Sequence, residues 1–363
     1  MIWLNSLVVA FLICAIRGVS GNEYCDTYER ILKAGYDGEK YDVVTEDGYI
    51  LQLLRIPRGK NQTMTSQSPS VFMMHGLSGS ASEFLNLSPE YMMAFDLADS
   101  GFDIWLGNSR GSCHSRRHQT LNPDDKIDKF AFFNYSWDEI GIYDLPAMID
   151  FALQKSGQNR LHYIGHSQGG TTFFVLNSLM PQYNVKFISA HLLAGIGYQK
   201  YFPNKTFGRA AIFTKQIYEE AKAAGIVELG QPDWSFNINN TLETDKETER
   251  ANISLKQFAH YGQNVRDKQF RRWSYSRLQN IIVYGSFEPP NYNLSKINVD
   301  TTMHYSLGDE LQDERDVLAM VKDLPNARAR KVAKKDFSHL DFVKSPSAKP
   351  LITDFIIDDL QRR

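Results

Sequence analysis

The feature that most constrains this chain is Gly165-His166-Ser167-Gln168-Gly169, a G-x-S-x-G pattern set between the apolar run LHYIG (161–165) and the apolar stretch TTFFVLNSLM (171–180). The run before it reads as a buried strand and the stretch after it as a helix. A serine between them sits on a sharp, strained turn, and the flanking glycines let the backbone turn without side-chain clashes. The N-terminus of the following helix favours negative charge developing beside Ser167. A buried strand feeding a packed helix points to an α/β layer architecture.

The same alternation recurs along the chain. Residues 43–51 (VVTEDGYIL) predict two strands around a Glu46-Asp47-Gly48 turn. The short apolar runs SVFMMH (70–75) and FDIWL (102–106), each followed by a glycine, predict buried strands. Residues 137–154 carry apolar side chains at helical spacing, with Pro146 as a kinking point. Residues 187–193 predict another strand. From Gly197 to about Val283 the rhythm breaks into a more polar segment with helical pieces at 213–225 and 255–264. It returns as a strand at 302–307, a helix at 313–322, a strand at 327–334 and a closing helix at 352–360. The expected fold is α/β with a mostly parallel central sheet. Residues 22–196 and 286–363 form its core, and 197–285 form an insertion above the sheet.

A second match, Gly107-Asn108-Ser109-Arg110-Gly111, also follows a strand. The polar, basic stretch after it (SCHSRRH) is not a packed helix, so Ser167 is the candidate nucleophile and Ser109 is not. A serine nucleophile needs a base and a group that orients the base. On sheets with such an elbow the chain order is serine, acid, histidine. Downstream lie His191, His260, His304 and His339. His191 falls inside an apolar strand and reads as a satisfied core histidine. His304 also falls in a strand, and His260 lies in the insertion. His339 lies in a loop after the last strand (DFSHLDF), where a side chain can reach back over the sheet, and is the candidate base. Asp309 stands at the end of the preceding strand and is the candidate acid. The neighbouring Glu310, Asp313, Glu314 and Asp316 read mostly as the solvated first turns of a helix. The oxyanion needs two backbone donors, one from the residue after the nucleophile and one from an earlier loop. Gln168 and Leu77, the latter following His75-Gly76, are the candidates.

Charge and address narrow the function classes. Forty Lys and Arg against 42 Asp and Glu give a net charge of −2, with no long block of one sign, which disfavours a nucleic-acid partner. Residues 7–16 (LVVAFLICAI) are too short to span a bilayer and match the apolar region of a signal peptide, with small residues at 18–21 for cleavage. A leader of residues 1–21 is expected, and the mature chain then has no transmembrane segment. N-x-S/T sequons at Asn61, Asn86, Asn134, Asn204, Asn239, Asn252 and Asn293 support the secretory pathway as glycosylation candidates. Three cysteines exclude a disulfide-dense scaffold. Cys25 and Cys113 could pair or stay free. No H-E-x-x-H or Cys/His cluster calls for a metal, and no cofactor is expected.

With these residues in place the chain resembles the acid lipases, the family of gastric and lysosomal acid lipases, and most of all their insect members. The resemblance rests on VVTEDGYIL (43–51), HGLSGSASEF (75–84), WLGNSRG (105–111), YDLPAMIDF (143–151), LHYIGHSQGG (161–170), EPPNYNLSKI (288–297) and HLDF (339–342), in that order. It implies an α/β-hydrolase fold with a largely helical cap inserted before the catalytic acid. It also implies Ser167, Asp309 and His339 as the triad and Leu77 and Gln168 as oxyanion donors. Three departures stand out against the family pattern: Gly170 in place of a threonine, Glu310 in place of a bulky apolar residue beside the acid, and a shortened cap.

The expected activity is a secreted serine ester hydrolase that releases fatty acids from triacylglycerol or sterol ester at a lipid–water interface, in the extracellular space or a lysosome-like compartment. A short-chain carboxylesterase and a non-catalytic lipid carrier on the same fold are the alternatives.

Overall fold

The computed structural model describes residues 26–62, 68–85, 92–229 and 253–363. The expected leader, Cys25 and the sequons at Asn86, Asn239 and Asn252 lie outside the described residues.

The strands are β1 (Glu39–Val44), β2 (Ile50–Ile56), β3 (Ser70–Met74), β4 (Asp103–Gly107), β5 (Leu161–His166), β6 (Phe187–Leu193), β7 (Glu228–Leu229), β8 (Ile253–Ser254), β9 (Thr301–Tyr305) and β10 (Ala327–Lys331). Eight of them form one sheet in the order β1-β2-β4-β3-β5-β6-β9-β10. β1–β2 and β2–β4 are antiparallel, and every pairing from β4 to β10 is parallel. β3, β4, β5 and β9 are buried at every position. That is why β3 and β4 read as mainly apolar runs and not as alternating ones, whereas β9 is buried with polar side chains, TTMHY. β10, at one edge, is the basic sequence ARARK, whose charges discourage pairing with a further strand.

Side chains alternate between two cores, one on each face of the sheet. Phe72, Met74 and Trp105 enter the cluster that also holds Trp137, Ile149 and Phe173. Val71, Met73, Ile104 and Leu106 enter the other, with Phe95, Phe337 and Ile356. This is the period-two geometry of a strand applied to two layers of helices. Along the first face, Ser136 and Glu139 form a reciprocal capping box before Trp137–Glu139. A π-helical turn at Ile140–Asp144 then leads into the helix Leu145–Ser156. Pro146 removes a backbone donor in the first turn of that helix, directly after the π turn.

Between β6 and β9 the described chain adds no strand to the large sheet. It forms the β7–β8 ribbon and the helices Thr214–Ala223, Leu255–Asp267 and Arg277–Tyr284. Tyr218, Leu229, Leu255, Ala259 and Trp273 make a third cluster, against which Leu77 of the sheet layer packs. The helix Arg277–Tyr284 is inverted. Its buried residue is Asn280, whereas Leu278 and Ile282 are 75% and 83% exposed. No helix among the described residues is long and apolar enough to cross a membrane. Cys113 is disulfide-bonded, and its partner lies among residues outside those described.

Candidate active site

β5 ends at His166, and the helix Gln168–Leu179 begins two residues later. The residue between them, Ser167, has φ of 50° and ψ of −111°, a backbone conformation that a non-glycine residue holds only when its surroundings impose it. Here they do. Ser167 N–H donates to the Leu193 carbonyl at 2.9 Å, and its own carbonyl accepts from Gly170 at 3.0 Å and Ile196 at 3.2 Å. Close packing requires glycine two residues on, since a Cβ at Gly169 would lie 2.2 Å from the Met74 carbonyl oxygen.

The structure brings Ser167, Asp309 and His339 together from three separate segments. Ser167 Oγ lies 2.8 Å from His339 Nε2. His339 Nδ1–H donates to Asp309, 2.8 Å from Oδ2 and 3.1 Å from Oδ1. Asp309 is held in turn by the N–H groups of Leu311 and Gln312 at 2.8 and 3.0 Å. All three side chains are buried. Burial alone would lower the His339 pKa. The Asp309 charge and hydrogen bond, with Glu310 and Glu83 beyond, outweigh it and lift His339 above the ordinary imidazole value.

Leu77 and Gln168 flank the same serine. A Cβ on Gly76 would stand 3.2 Å from Ser167 Cβ, so the loop carrying Leu77 passes directly over the nucleophile. Among the described residues, neither the Leu77 nor the Gln168 N–H has a hydrogen-bond acceptor. The Gly76 carbonyl accepts from His75 Nδ1 at 2.7 Å. A trans peptide points its C=O and the following N–H in opposite directions. Holding the Gly76 oxygen therefore aims the Leu77 N–H.

The remaining histidines have other partners. His191 Nδ1 and His304 Nε2 are 3.0 Å apart inside the sheet layer, and His260 stacks on Trp137 with ring centroids 3.7 Å apart. The second G-x-S-x-G stretch is buttressing. Ser109 N–H donates to His75 Nε2 at 3.1 Å, which fixes the tautomer that leaves Nδ1–H for Gly76. Arg110 is fully buried between Asp47 and Asp144. Of the sequon residues within the described chain, Asn61, Asn134 and Asn293 are exposed and Asn204 is half-buried.

Sequence reasoning missed His75, Ser109 and above all Glu83 and His166. Glu83 carried a signal: a lone acid in the otherwise small and apolar run GSASEFL. His166 sits inside the elbow pattern at a position the pattern leaves free.

A doubly layered, mostly parallel sheet with a serine elbow and the chain order serine, acid, histidine defines an α/β-hydrolase. Residues 69–189 match the family model described as alpha/beta hydrolase fold, and residues 27–88 match the partial alpha/beta-hydrolase lipase region. The chain is 36% identical over 340 residues to Lipase 1 of Drosophila melanogaster, covering 86% of this chain and 74% of that one. It is 34% identical to Lipase 3 of the same fly, covering 93% of both. It is 34% identical to human gastric triacylglycerol lipase, covering 89% of this chain and 87% of that one. The chain belongs to the acid lipase family, whose members are carboxylic ester hydrolases. Among solved structures it is similar in fold to an esterase from Thermogutta terrifontis, with a TM-score of 0.52 at 11% identity over 89% of this chain and 98% of that one. An esterase from Exiguobacterium antarcticum gives 0.51 at 15% identity over 89% and 100%.

Proposed function

We propose that the chain is a secreted serine ester hydrolase that releases fatty acids from neutral lipids, triacylglycerol or sterol ester, through an acyl-enzyme on Ser167. The observation that carries this reading is the continuous line from Ser167 Oγ through His339 to Asp309 at the elbow. His339 takes the serine proton as Oγ bonds to the ester carbonyl carbon. The carbonyl electron pair moves onto oxygen, where the N–H groups of Leu77 and Gln168 receive it. Each such donor contributes about 3 kcal/mol to lowering the barrier. Collapse of the intermediate expels the alcohol, which takes its proton from His339. Water then repeats the sequence on the acyl-enzyme, and the fatty acid leaves. No step calls for a metal or cofactor.

In this reading residues 22–196 and 286–363 are the catalytic core, and 197–285 are a cap over the elbow. Contacts of the helix Leu255–Asp267 with the elbow support it: Gln257 pairs with Gln168 at 2.8 Å, and the hydroxyls of Tyr261 and Thr171 are 2.9 Å apart. The outward-facing Leu278, Ile281 and Ile282 favour a lipid surface over a dissolved substrate, since exposed apolar stripes of this kind are contact surfaces. The expected leader and the exposed sequons favour the secretory pathway.

Fatty-acid release from emulsified triolein and from dissolved p-nitrophenyl butyrate, with Ser167→Ala as control, tests the reading. Release from triolein that vanishes in the control supports it. Hydrolysis of butyrate alone makes the protein a short-chain carboxylesterase, a reading that the reduced cap supports. Activity on neither of these nor on a sterol ester leaves a lipid carrier.

A further inference from the structure

A second acid–imidazole pair lies at the elbow, outside the triad. His166, the residue before Ser167, is 1% exposed. Its Nδ1 is 2.5 Å from Glu83 Oε1, and its Nε2 is 3.0 Å from the main-chain carbonyl oxygen of His339. The Glu83 carboxylate also accepts the Gly76 N–H, at 3.1 Å through Oε2. Glycine at 79 makes room for it, because a Cβ there would stand 2.5 Å from Glu83 Oε2. One imidazole thus joins three parts of the catalytic apparatus. It precedes the nucleophile in sequence, holds the main chain of the base, and reaches the oxyanion loop through Glu83.

Donor accounting shows what the pair must carry. The His339 carbonyl only accepts, and an ionised carboxylate only accepts. Both nitrogens of His166 therefore face acceptors. Both contacts form only when a proton lies between Glu83 and Nδ1 in addition to the one on Nε2. Remove that shared proton and one contact becomes acceptor against acceptor in a site closed to water, a costly arrangement. Other titratable groups facing the pair are His75, just after β3, and the His339 ring, whose centroid is 5.2 Å from that of His166. Burial pushes the Glu83 pKa up, but the charge and hydrogen bond of His166, with His75 and the Gly76 amide, bring it below the ordinary carboxylate value.

We propose that Glu83 and His166 are a positioning pair, locking the oxyanion loop, the elbow and His339 into one register, and that full turnover requires the proton they share. The proposal rests on the ester hydrolase reading above. It goes further in assigning work to two residues that touch neither the ester nor the attacking serine oxygen. Breaking the pair should loosen the loop and the base together, lowering kcat with little change in KM.

The test uses the full chain and p-nitrophenyl butyrate. Glu83→Gln keeps the shape and removes the charge that holds the proton. Kcat should fall about tenfold or more, since small misplacements of catalytic groups carry penalties of that order. KM should stay near its wild-type value. A proton NMR spectrum of the wild type provides a measurement independent of turnover and of variant folding. It should show two far-downfield imidazole N–H signals. Asp309→Asn should remove the one from His339, and Glu83→Gln the one from His166. A folded Glu83→Gln with wild-type kcat overturns the proposal, as does a wild type showing only the signal sensitive to Asp309. A wild type inactive on every ester overturns the ester hydrolase reading instead, and the spectrum then decides the pair alone.

Discussion

The Gln168 side-chain amide donates to Gln257 Oε1 across 2.8 Å, joining the residue after the nucleophile to the helix that lies over it. Gln168 Oε1 is buried and has no partner of its own. That amide thus depends on Gln257 for its one side-chain hydrogen bond. Replacing Gln257 with Leu strands a buried donor, which costs about 1–3 kcal/mol. We expect the midpoint of urea unfolding to drop accordingly. We also expect kcat on dissolved ester to fall, because in the proposed mechanism the Gln168 main chain supplies an oxyanion donor. An unchanged midpoint would show that water replaces Gln257 without loss.

His339 gives the pH dependence a definite sign. As the proposed base it acts only when neutral, and its pKa is raised above the ordinary imidazole value by Asp309, Glu310 and Glu83 against the opposing effect of burial. The acid limb of kcat/KM for the free enzyme should therefore lie above about pH 6.5, the unperturbed value. Asp309→Asn removes the largest attraction, so the limb should move to lower pH while kcat falls by about 10⁴. A wild-type limb well below 6.5 contradicts the electrostatics of the three carboxylates.

Much of the sheet was legible because central strands such as β3 and β4 are buried on both faces and so appear as mainly apolar runs. The grouping of Ser167, Asp309 and His339 was legible because chain order and strand ends pointed to these three residues without any knowledge of distance. Glu83 was not legible. Its burial depends on Gly79 and on a histidine 83 residues away, and neither contact leaves a periodic trace in the sequence. The π turn at Ile140–Asp144 was hidden for a similar reason, since Pro146 signals a lost donor but not how the helix accommodates it.

Acid should also unfold the protein. The pKa values of His162 and His260 are each lowered to about 4, mainly by burial. A histidine depressed on folding gives up its proton, so the folded state is favoured fully above the unfolded value near 6.5 and loses that advantage as pH falls toward the folded value. A tenfold loss of proton affinity on folding is worth about 1.4 kcal/mol, so each of the two contributes on the order of 3 kcal/mol across the window from about 6.5 down to 4. The melting temperature should fall steeply on acidification through that window. In His260→Gln the fall should be shallower, at the expense of lower stability at pH 7, where the stacking on Trp137 is lost. A melting temperature flat from pH 7 to pH 4 would falsify this account.

The inverted helix Arg277–Tyr284 yields the test of what the protein acts upon. A surface helix normally turns its apolar stripe inward. Here Asn280 is inside, bonded to the Phe287 carbonyl at 2.8 Å, while Leu278, Ile281 and Ile282 face out on one stripe at i, i+3 and i+4. Tyr284 anchors the helix from behind by donating to the Trp273 carbonyl at 2.8 Å, and Trp273 belongs to the cluster that Leu77 packs against. Burying apolar surface in lipid is worth about 25 cal/mol per Å², so two such side chains contribute roughly 3 kcal/mol or more to partitioning. Leu278→Ser with Ile282→Ser should lower the rate on emulsified triolein by about a hundredfold at limiting lipid, the factor that this energy implies at about 1.4 kcal/mol per tenfold. The rate on dissolved p-nitrophenyl butyrate should fall far less. Flotation with triolein emulsion should show the double variant staying in the aqueous layer. If both substrates slow by the same factor, the helix supports the cap and not contact with lipid. If neither slows, the stripe serves some other partner.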